Sequence, residues 1–183
     1  SKWSEDANFW LSNHYFNRGL YQEAEKRFAE MADTYSNGEL ADDALYWAAQ
    51  SAIKQKEYVQ AIEYLGKLVE AYPQSPKTTE ARFAQGDALS ALGKFSAAIL
   101  VFEEIVKNSD QGAGDGYFVM RAWGRMGDCN FTLGAENPDR YEALGMLYAE
   151  LGHRDDAVEA WRTIPDLRGY DSISGWTRMA MLC

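Results

Sequence analysis

The sequence predicts an all-α protein built as a solenoid of stacked antiparallel helix hairpins. Three alanines (Ala24, Ala61 and Ala98) stand at equal intervals of 37 residues, and a large residue follows four positions after each one. Glycines separate neighbouring helical segments, and only four prolines interrupt the chain. Hydrophobic residues make up 46% of the 183 positions, which is enough for a buried core. A constant period of this length is typical of helical-repeat proteins.

Each copy of the repeat follows one rule for residue size. A large residue is followed by a pair of residues three and four positions later, and the second residue of this pair is small. A bulky residue follows three positions after the small one. The small residue lets the partner helix approach, and the large residues fill the space around that contact. Four copies show the pattern: Asn8, Leu11, Ser12 and Tyr15; Leu45, Ala48, Ala49 and Ala52; Arg82, Gln85, Gly86 and Leu89; and Tyr141, Leu144, Gly145 and Tyr148, which continue to Ala157 and Trp161. Trp123, Met126 and Gly127 show its first half, as do Trp176, Met179 and Ala180.

The periodicity predicts the helices in order along the chain. Hairpins are expected near residues 6–35, 40–72 and 76–108, followed by an irregular region at 116–151, a hairpin at 139–164 and a terminal half-repeat at 172–183. Gly19 and Gly93 are placed just past helix ends, where a left-handed backbone is favoured. Ser75 and Pro76 are expected to cap and start the next helix.

The region near residues 140–146 breaks the period. It can be the second helix of one hairpin, with Ala143 and Leu147 as the small–large pair. It can also be the first helix of the next hairpin, with Tyr141 and Gly145 in the repeat positions. Because both cannot hold in a regular stack, we expect a helix to be missing here, either by deletion or because residues are absent.

The repeat resembles the tetratricopeptide (TPR) motif, W-x2-L-G-x2-Y followed by A-x3-F and P. The resemblance implies a right-handed superhelix whose first helices line a concave face. It also implies a non-catalytic scaffold or adaptor that binds a partner protein or an extended peptide on that face.

A second resemblance concerns residues 40–46, 72–76 and 79–81, where a Tyr-Pro-x-Ser turn precedes an acidic-Ala helix start. These segments are similar to bacterial cell-envelope TPR proteins, a group that includes the Tol-Pal coordinator and the TPR lipoprotein of the outer-membrane barrel-assembly machine. The resemblance implies a periplasmic or envelope-associated protein, with the cytoplasm as the alternative.

Charge and composition exclude several classes of function. The net charge of −10 argues against nucleic acid and leaves neutral or basic proteins as partners. No apolar run approaches the roughly 18 residues of a membrane span. The two histidines, at positions 14 and 153, have no cysteine or histidine neighbours, so no metal site or other cofactor is expected. Without a paired catalytic arrangement, the sequence predicts no enzyme activity.

The candidate binding residues lie at repeated positions of the first helices. Aromatic residues follow each first large position, and polar residues follow four positions later. The aromatics would supply contact area and the amides would bond to peptide backbone, although aromatics at this spacing are also typical of hairpin core. The predicted peptide-binding set is Phe9, Asn13, Asp43, Tyr46, Gln50, Glu80, Phe83 and Asp87.

Two other functions remain open. The apolar face of the last helix, with Trp176 and Met179, predicts a fragment of a longer stack or a helix covered by another chain. The chain is then a structural segment that self-associates through its ends. The third possibility is a regulatory module that binds a small ligand in the concave groove.

Overall fold

The computed structural model describes residues 2–108, 116–134, 145–146, 148–150 and 152–160. The chain forms two compact units, Ser1–Trp123 and Gly124–Cys183. Seven helices have full bounds within the described residues: α1 (Lys2–Asn17), α2 (Tyr21–Thr34), α3 (Ala41–Lys54), α4 (Tyr58–Ala71), α5 (Thr78–Ala91), α6 (Phe95–Asn108) and α7 (Gly116–Gly134).

The first unit is a stack of helix hairpins. Its strongest contacts join consecutive helices, from α1 with α2 through to α5 with α6. In a helical-repeat stack, each repeat contacts the repeats next to it in the sequence, as these helices do. The predicted all-α fold of stacked helix hairpins is therefore confirmed. Helices α1 to α6 lie at or near the predicted hairpin ranges 6–35, 40–72 and 76–108, and the division of the chain into these hairpins stays a prediction. The superhelix handedness and a single stack over residues 1–183 stay predictions.

The alanine anchors lie at equivalent buried positions. Ala24, Ala61 and Ala98 have no exposed surface, and neither do the large residues that follow four positions later, Phe28, Leu65 and Phe102. Each anchor N–H donates to the carbonyl of the residue just before its helix, as in Ala98 N to Lys94 O at 3.0 Å. The repeated spacing in the sequence therefore marks the packing contact of each hairpin.

The turns inside the hairpins share one pattern of hydrogen bonds. In the third hairpin, Gly93 N donates to Ser90 O and Lys94 N donates to Leu89 O, each at 2.9 Å. The same bonds close the turn at Gly19, and both glycines have positive φ, 72° at Gly93 and 76° at Gly19. The second hairpin places Lys56 at this position with φ 64°.

The first helix begins at Lys2, about one turn earlier than predicted. The reason is a contact that is distant in sequence. Glu5 is buried, and its Oε1 accepts a hydrogen bond of 2.8 Å from the backbone N–H of Leu40, which directly precedes α3. A local periodicity gives no sign of such a contact.

The loop between the second and third hairpins also differs from the prediction. Helix α5 begins at Thr78 and its N-cap residue is Lys77, so Pro76 precedes the helix. Ser75 Oγ accepts from Lys77 N at 3.1 Å and donates to the Asp42 carboxylate. Ser75 thus ties the loop to the start of α3 instead of capping α5.

The second unit contains the end of α7 and a further turn with helical residues on both sides. Residues 148–150 and 154–160 are helical, and Gly152 between them has φ 77°. Tyr148 and Ala157 are buried. The proposed missing helix near residues 140–146 falls mostly on residues outside those described, as do Trp161 and the terminal half-repeat at 172–183.

Candidate functional site

A cavity of about 270 Å³ lies between α3, α5 and α7, with a contribution from the start of α4. We call it the inner-face cavity. Five of the eight predicted binding residues line it, because α3 and α5 present equivalent repeat positions to the same space. The lining residues are Tyr46, Gln50, Ile53, Tyr58, Glu80, Phe83, Ala84, Asp87, Ala88, Phe118 and Arg121.

Tyr46 links α3 to α5 at this cavity. The half-buried side chain donates its O–H to Glu80 Oε1 at 2.8 Å. Burial, followed by the hydrogen bond to Glu80, raises the pKa of Tyr46 well above its usual range, so the phenol remains a neutral donor. The Lys77 ammonium lies 5.1 Å from the centre of the Tyr46 ring.

Phe83 belongs both to the core and to the cavity wall. Its side chain is 4% exposed, and its ring centre lies 5.5 Å from that of Phe102 and 5.7 Å from that of Phe118. The guanidinium carbon of Arg121 lies 4.2 Å from the centre of the Phe83 ring. Phe83 therefore offers only part of its surface to the cavity.

Three predicted binding residues lie outside the inner-face cavity. Phe9 packs edge-on against Phe28, with 5.6 Å between ring centres, and Asn13 Nδ2 donates to Phe9 O at 3.1 Å on the same helix. Asp43 forms an ion pair of 3.0 Å with Lys77. Phe9 therefore contributes to the core, and the charge of Asp43 is largely compensated.

Sequence reasoning missed the contribution of α7, above all Phe118 and Arg121. A signal for Arg121 was present in the repeat. The residue two positions before each first large residue is Asp43 in α3, Glu80 in α5 and Arg121 in α7. The residue at this repeat position is acidic in α3 and α5 and basic in α7, the helix that completes the lining of the cavity.

A larger cleft of about 1050 Å³ lies along α2 and α4 and is called the outer cleft here. Glu25 lines this cleft, and its carboxylate accepts hydrogen bonds from Gln55 Nε2 at 2.6 Å and from the Tyr64 hydroxyl at 3.3 Å. Burial and then Glu25 raise the pKa of Tyr64 to about 12. This cleft is the alternative binding surface.

The chain resembles known proteins in both sequence and fold. A family of outer membrane lipoproteins designated YfiO matches residues 6–111, more than half of the chain. The chain belongs to this family. The match confirms the predicted resemblance to bacterial cell-envelope TPR proteins and associates the chain with the cell envelope. No curated protein matches by sequence.

Solved structures give a likeness of fold. MamA from Desulfovibrio magneticus RS-1, from residue 41 to its end, is 18% identical with a TM-score of 0.50, covering 97% of this chain and 82% of that one. A MamA RS-1 double mutant is 17% identical with the same TM-score and coverage. YrrB, described as a TPR protein with an unusual peptide-binding site, is 21% identical with a TM-score of 0.46, covering 96% and 74%.

At these identities the likeness shows the fold alone, a TPR-type solenoid. Such folds generally mediate protein–protein interaction, and their families are typically non-catalytic scaffolds. Within the described residues, no helix is long and apolar enough to cross a membrane.

Proposed function

We propose that this chain is a periplasmic scaffold that binds an extended segment of a partner protein across the face formed by α3, α5 and α7. The observation that carries the proposal is the inner-face cavity, where Tyr46, Gln50, Glu80, Phe83 and Asp87 converge from two successive repeats. The envelope family supports the periplasmic location.

The cavity is suited to a side chain of a peptide. Its volume of about 270 Å³ lies below the roughly 300–1,000 Å³ of small-molecule pockets. Apolar walls from Ile53, Ala84 and Phe118 supply contact area, while the Gln50 amide offers both donor and acceptor to a peptide backbone. This favours a peptide over the small regulatory ligand.

The charges favour a neutral to basic partner. Glu80 and Asp87 line the cavity together with a single cation, Arg121. Asp43 adds less to this selection than the sequence suggested, because Lys77 is its ion-pair partner. Exposed charges mainly affect the rate of encounter and its salt dependence, while desolvated contacts at Tyr46 and Phe83 hold the complex.

One observation supports the alternative function, in which the chain self-associates through its ends. Helix α1 exposes two large apolar side chains, Trp3 at 86% and Trp10 at 68%. If this surface joins two copies, sedimentation at high protein concentration should give a lower mass for Trp10→Glu than for the wild-type protein. If both proteins have the mass of a monomer, self-association through this surface is excluded.

The proposal is tested by selecting peptide ligands from a random library displayed on phage. Peptides selected on the wild-type chain are then measured against Gln50→Arg, which places a cation and extra volume in the cavity, and against Gln60→Arg, which makes the same change in the outer cleft. We expect Gln50→Arg to weaken binding at least about tenfold, roughly 1.4 kcal/mol. Gln60→Arg is expected to have no effect.

Tyr46→Phe gives a finer test because it keeps the ring and removes only the O–H bonded to Glu80. We expect peptide affinity to change while the protein remains folded, as judged by its circular dichroism. The proposal is wrong if the selected peptides bind Gln50→Arg as well as wild type and lose affinity for Gln60→Arg instead.

A further inference from the structure

The inner-face cavity contains a position for a cation. The Arg121 guanidinium lies 4.2 Å from the centre of the Phe83 ring, 5.1 Å from that of Tyr117 and 5.9 Å from that of Phe118. An aromatic ring attracts a cation to its face through its quadrupole. Three rings therefore surround the place where this guanidinium lies.

Two carboxylates, those of Glu80 and Asp87, line the same cavity. The Glu80 carboxylate accepts one hydrogen bond, from the Tyr46 hydroxyl, and no other side-chain hydrogen bond of Glu80 occurs within the described residues. A carboxylate has about four acceptor positions on its two oxygens, so Glu80 retains capacity for a further donor. Asp87 lies one helical turn beyond Phe83 on α5 and lines the cavity as well.

Arg121 itself is held only weakly. Its side chain is exposed, and its hydrogen bond within the described part of the chain is from Nη1 to the Tyr117 hydroxyl at 3.2 Å. It forms no salt bridge among these residues. Cation–π contacts at exposed sites are weak compared with the same contacts after desolvation. Another guanidinium that is desolvated on binding can therefore replace it.

We propose that the inner-face cavity is a receptor for one arginine side chain of the partner, and that Arg121 occupies the receptor until this arginine displaces it. The inference rests on the proposed function, since the arginine belongs to the bound peptide. The partner guanidinium stacks on Phe83 and donates to Glu80, while its aliphatic stem contacts the apolar walls. A guanidinium is preferred to an ammonium because it is planar, stacks on rings and bonds a carboxylate through two N–H groups.

Displacement makes Arg121 an internal competitor. A ligand that binds only when a site is vacant has its apparent affinity reduced by the fraction of molecules in which the site is filled. Removing Arg121 is therefore expected to strengthen the binding of an arginine peptide. Without competition, removal of a cavity residue would leave the affinity unchanged or weaken it.

The experiment uses the peptides selected from the random library on the complete chain. We expect them to share an arginine, and replacing it by citrulline, which has nearly the same shape and no charge, to weaken binding about tenfold. Calorimetry then compares Arg121→Ala with Arg125→Ala, a matched control that removes the same charge one turn along α7 and outside the cavity lining. Arg121→Ala is expected to strengthen binding of the arginine peptide about three- to tenfold, and Arg125→Ala to leave it unchanged.

Two further comparisons complete the test. The citrulline peptide should bind Arg121→Ala and wild type alike, because it does not compete for the cation position. Arg121→Met, which keeps an apolar stem, should reproduce the gain seen with Arg121→Ala. Glu80→Gln should remove most of the preference for arginine over citrulline.

The inference and the proposed function fail in different ways. Selected peptides that lack a shared arginine but are sensitive to Gln50→Arg would overturn the arginine receptor and leave the peptide groove intact. Weaker binding of the arginine peptide to Arg121→Ala would overturn the competition. A library that yields no peptide sensitive to Gln50→Arg would overturn both.

Discussion

At the scale of single residues, Lys56 occupies a backbone position that the other hairpins give to glycine. Its φ of 64° lies in the left-handed region, where Gly19 and Gly93 stand in the equivalent turns. This conformation costs a side-chain-bearing residue about 1–2 kcal/mol. Lys56→Gly should recover part of this energy and raise the melting temperature, although glycine also gains entropy in the unfolded chain.

The converse substitution provides the control for the turn. A Cβ on Gly93 would meet no atom within 4 Å, so Gly93→Ala changes only the backbone strain. We expect it to lower the free energy of unfolding by about 1 kcal/mol. A lower melting temperature for Lys56→Gly, or a higher one for Gly93→Ala, would contradict this account of the turns.

Gly86 shows why the repeat requires a small residue in its first helix. A Cβ at this position would lie 2.5 Å from Cε1 of Phe102, whose ring is fully buried. Gly86→Ala should therefore destabilise the protein by about 1–3 kcal/mol through overpacking, despite the better helix propensity of alanine. Urea denaturation gives the free energy directly.

A matched variant and a double-mutant cycle check the packing at Gly86. A Cβ on Gly124 in α7 meets nothing within 4 Å, so Gly124→Ala should stabilise the protein by roughly 0.5–1 kcal/mol. Phe102→Ala alone should cost about 3–5 kcal/mol. In that background Gly86→Ala should lose most of its penalty, and additive effects would show that the two residues do not compete for space.

At the scale of helices, Tyr64 ties α4 to Glu25 on α2, and its pKa is raised to about 12 from an ordinary value of 10.0. A raised pKa means that the folded state retains the proton longer than the unfolded state does. The stability from Tyr64 is therefore complete below pH 10 and is lost as the pH rises through about 12.

This linkage is measurable in urea at pH 9 and pH 11.5. We expect the urea concentration at the denaturation midpoint to be lower at pH 11.5 than at pH 9. The decrease should be smaller in Tyr64→Phe, because phenylalanine cannot ionise. Tyr58→Phe, at the start of the same helix, serves as the matched control for removal of a tyrosine hydroxyl. An equal fall in wild type and Tyr64→Phe would show that the phenol does not carry the effect.

The helices themselves were largely predictable from the sequence, and the reason is physical. A small residue and a large residue four positions later lie on one helix face, so the pairs Ala24–Phe28 and Ala98–Phe102 mark their contacts without knowledge of the fold. The start of α1 was not predictable in this way. It depends on the bond from Leu40 to the Glu5 carboxylate, which joins distant parts of the chain.

The candidate site was predictable only in part. Tyr46, Gln50, Glu80, Phe83 and Asp87 occupy equivalent positions of α3 and α5, so the period alone placed them together. The period does not distinguish core from surface, and Phe9 packs on Phe28 instead of lining the cavity. Arg121 was missed because two of its three aromatic partners, Tyr117 and Phe118, do not belong to the repeated column.

In the molecule as a whole, the family match and the inner-face cavity involve largely the same helices. The family match covers residues 6–111, and the inner-face cavity takes most of its lining from α3, α4 and α5 within that range. Phe118 and Arg121 lie beyond it. The peptide-binding face is therefore proposed to combine residues inside the matched region with two residues from the helix that follows.

Site-specific photo-crosslinking tests whether the partner lies across the face of α3, α5 and α7. A photoreactive benzoylphenylalanine is placed at position 50, in the inner-face cavity, or at position 60, in the outer cleft. Each protein is irradiated with a selected peptide, and mass spectrometry locates the adduct. We expect efficient crosslinking from position 50 and little from position 60. Adducts from position 60 alone would place the partner in the outer cleft and would contradict the proposed function.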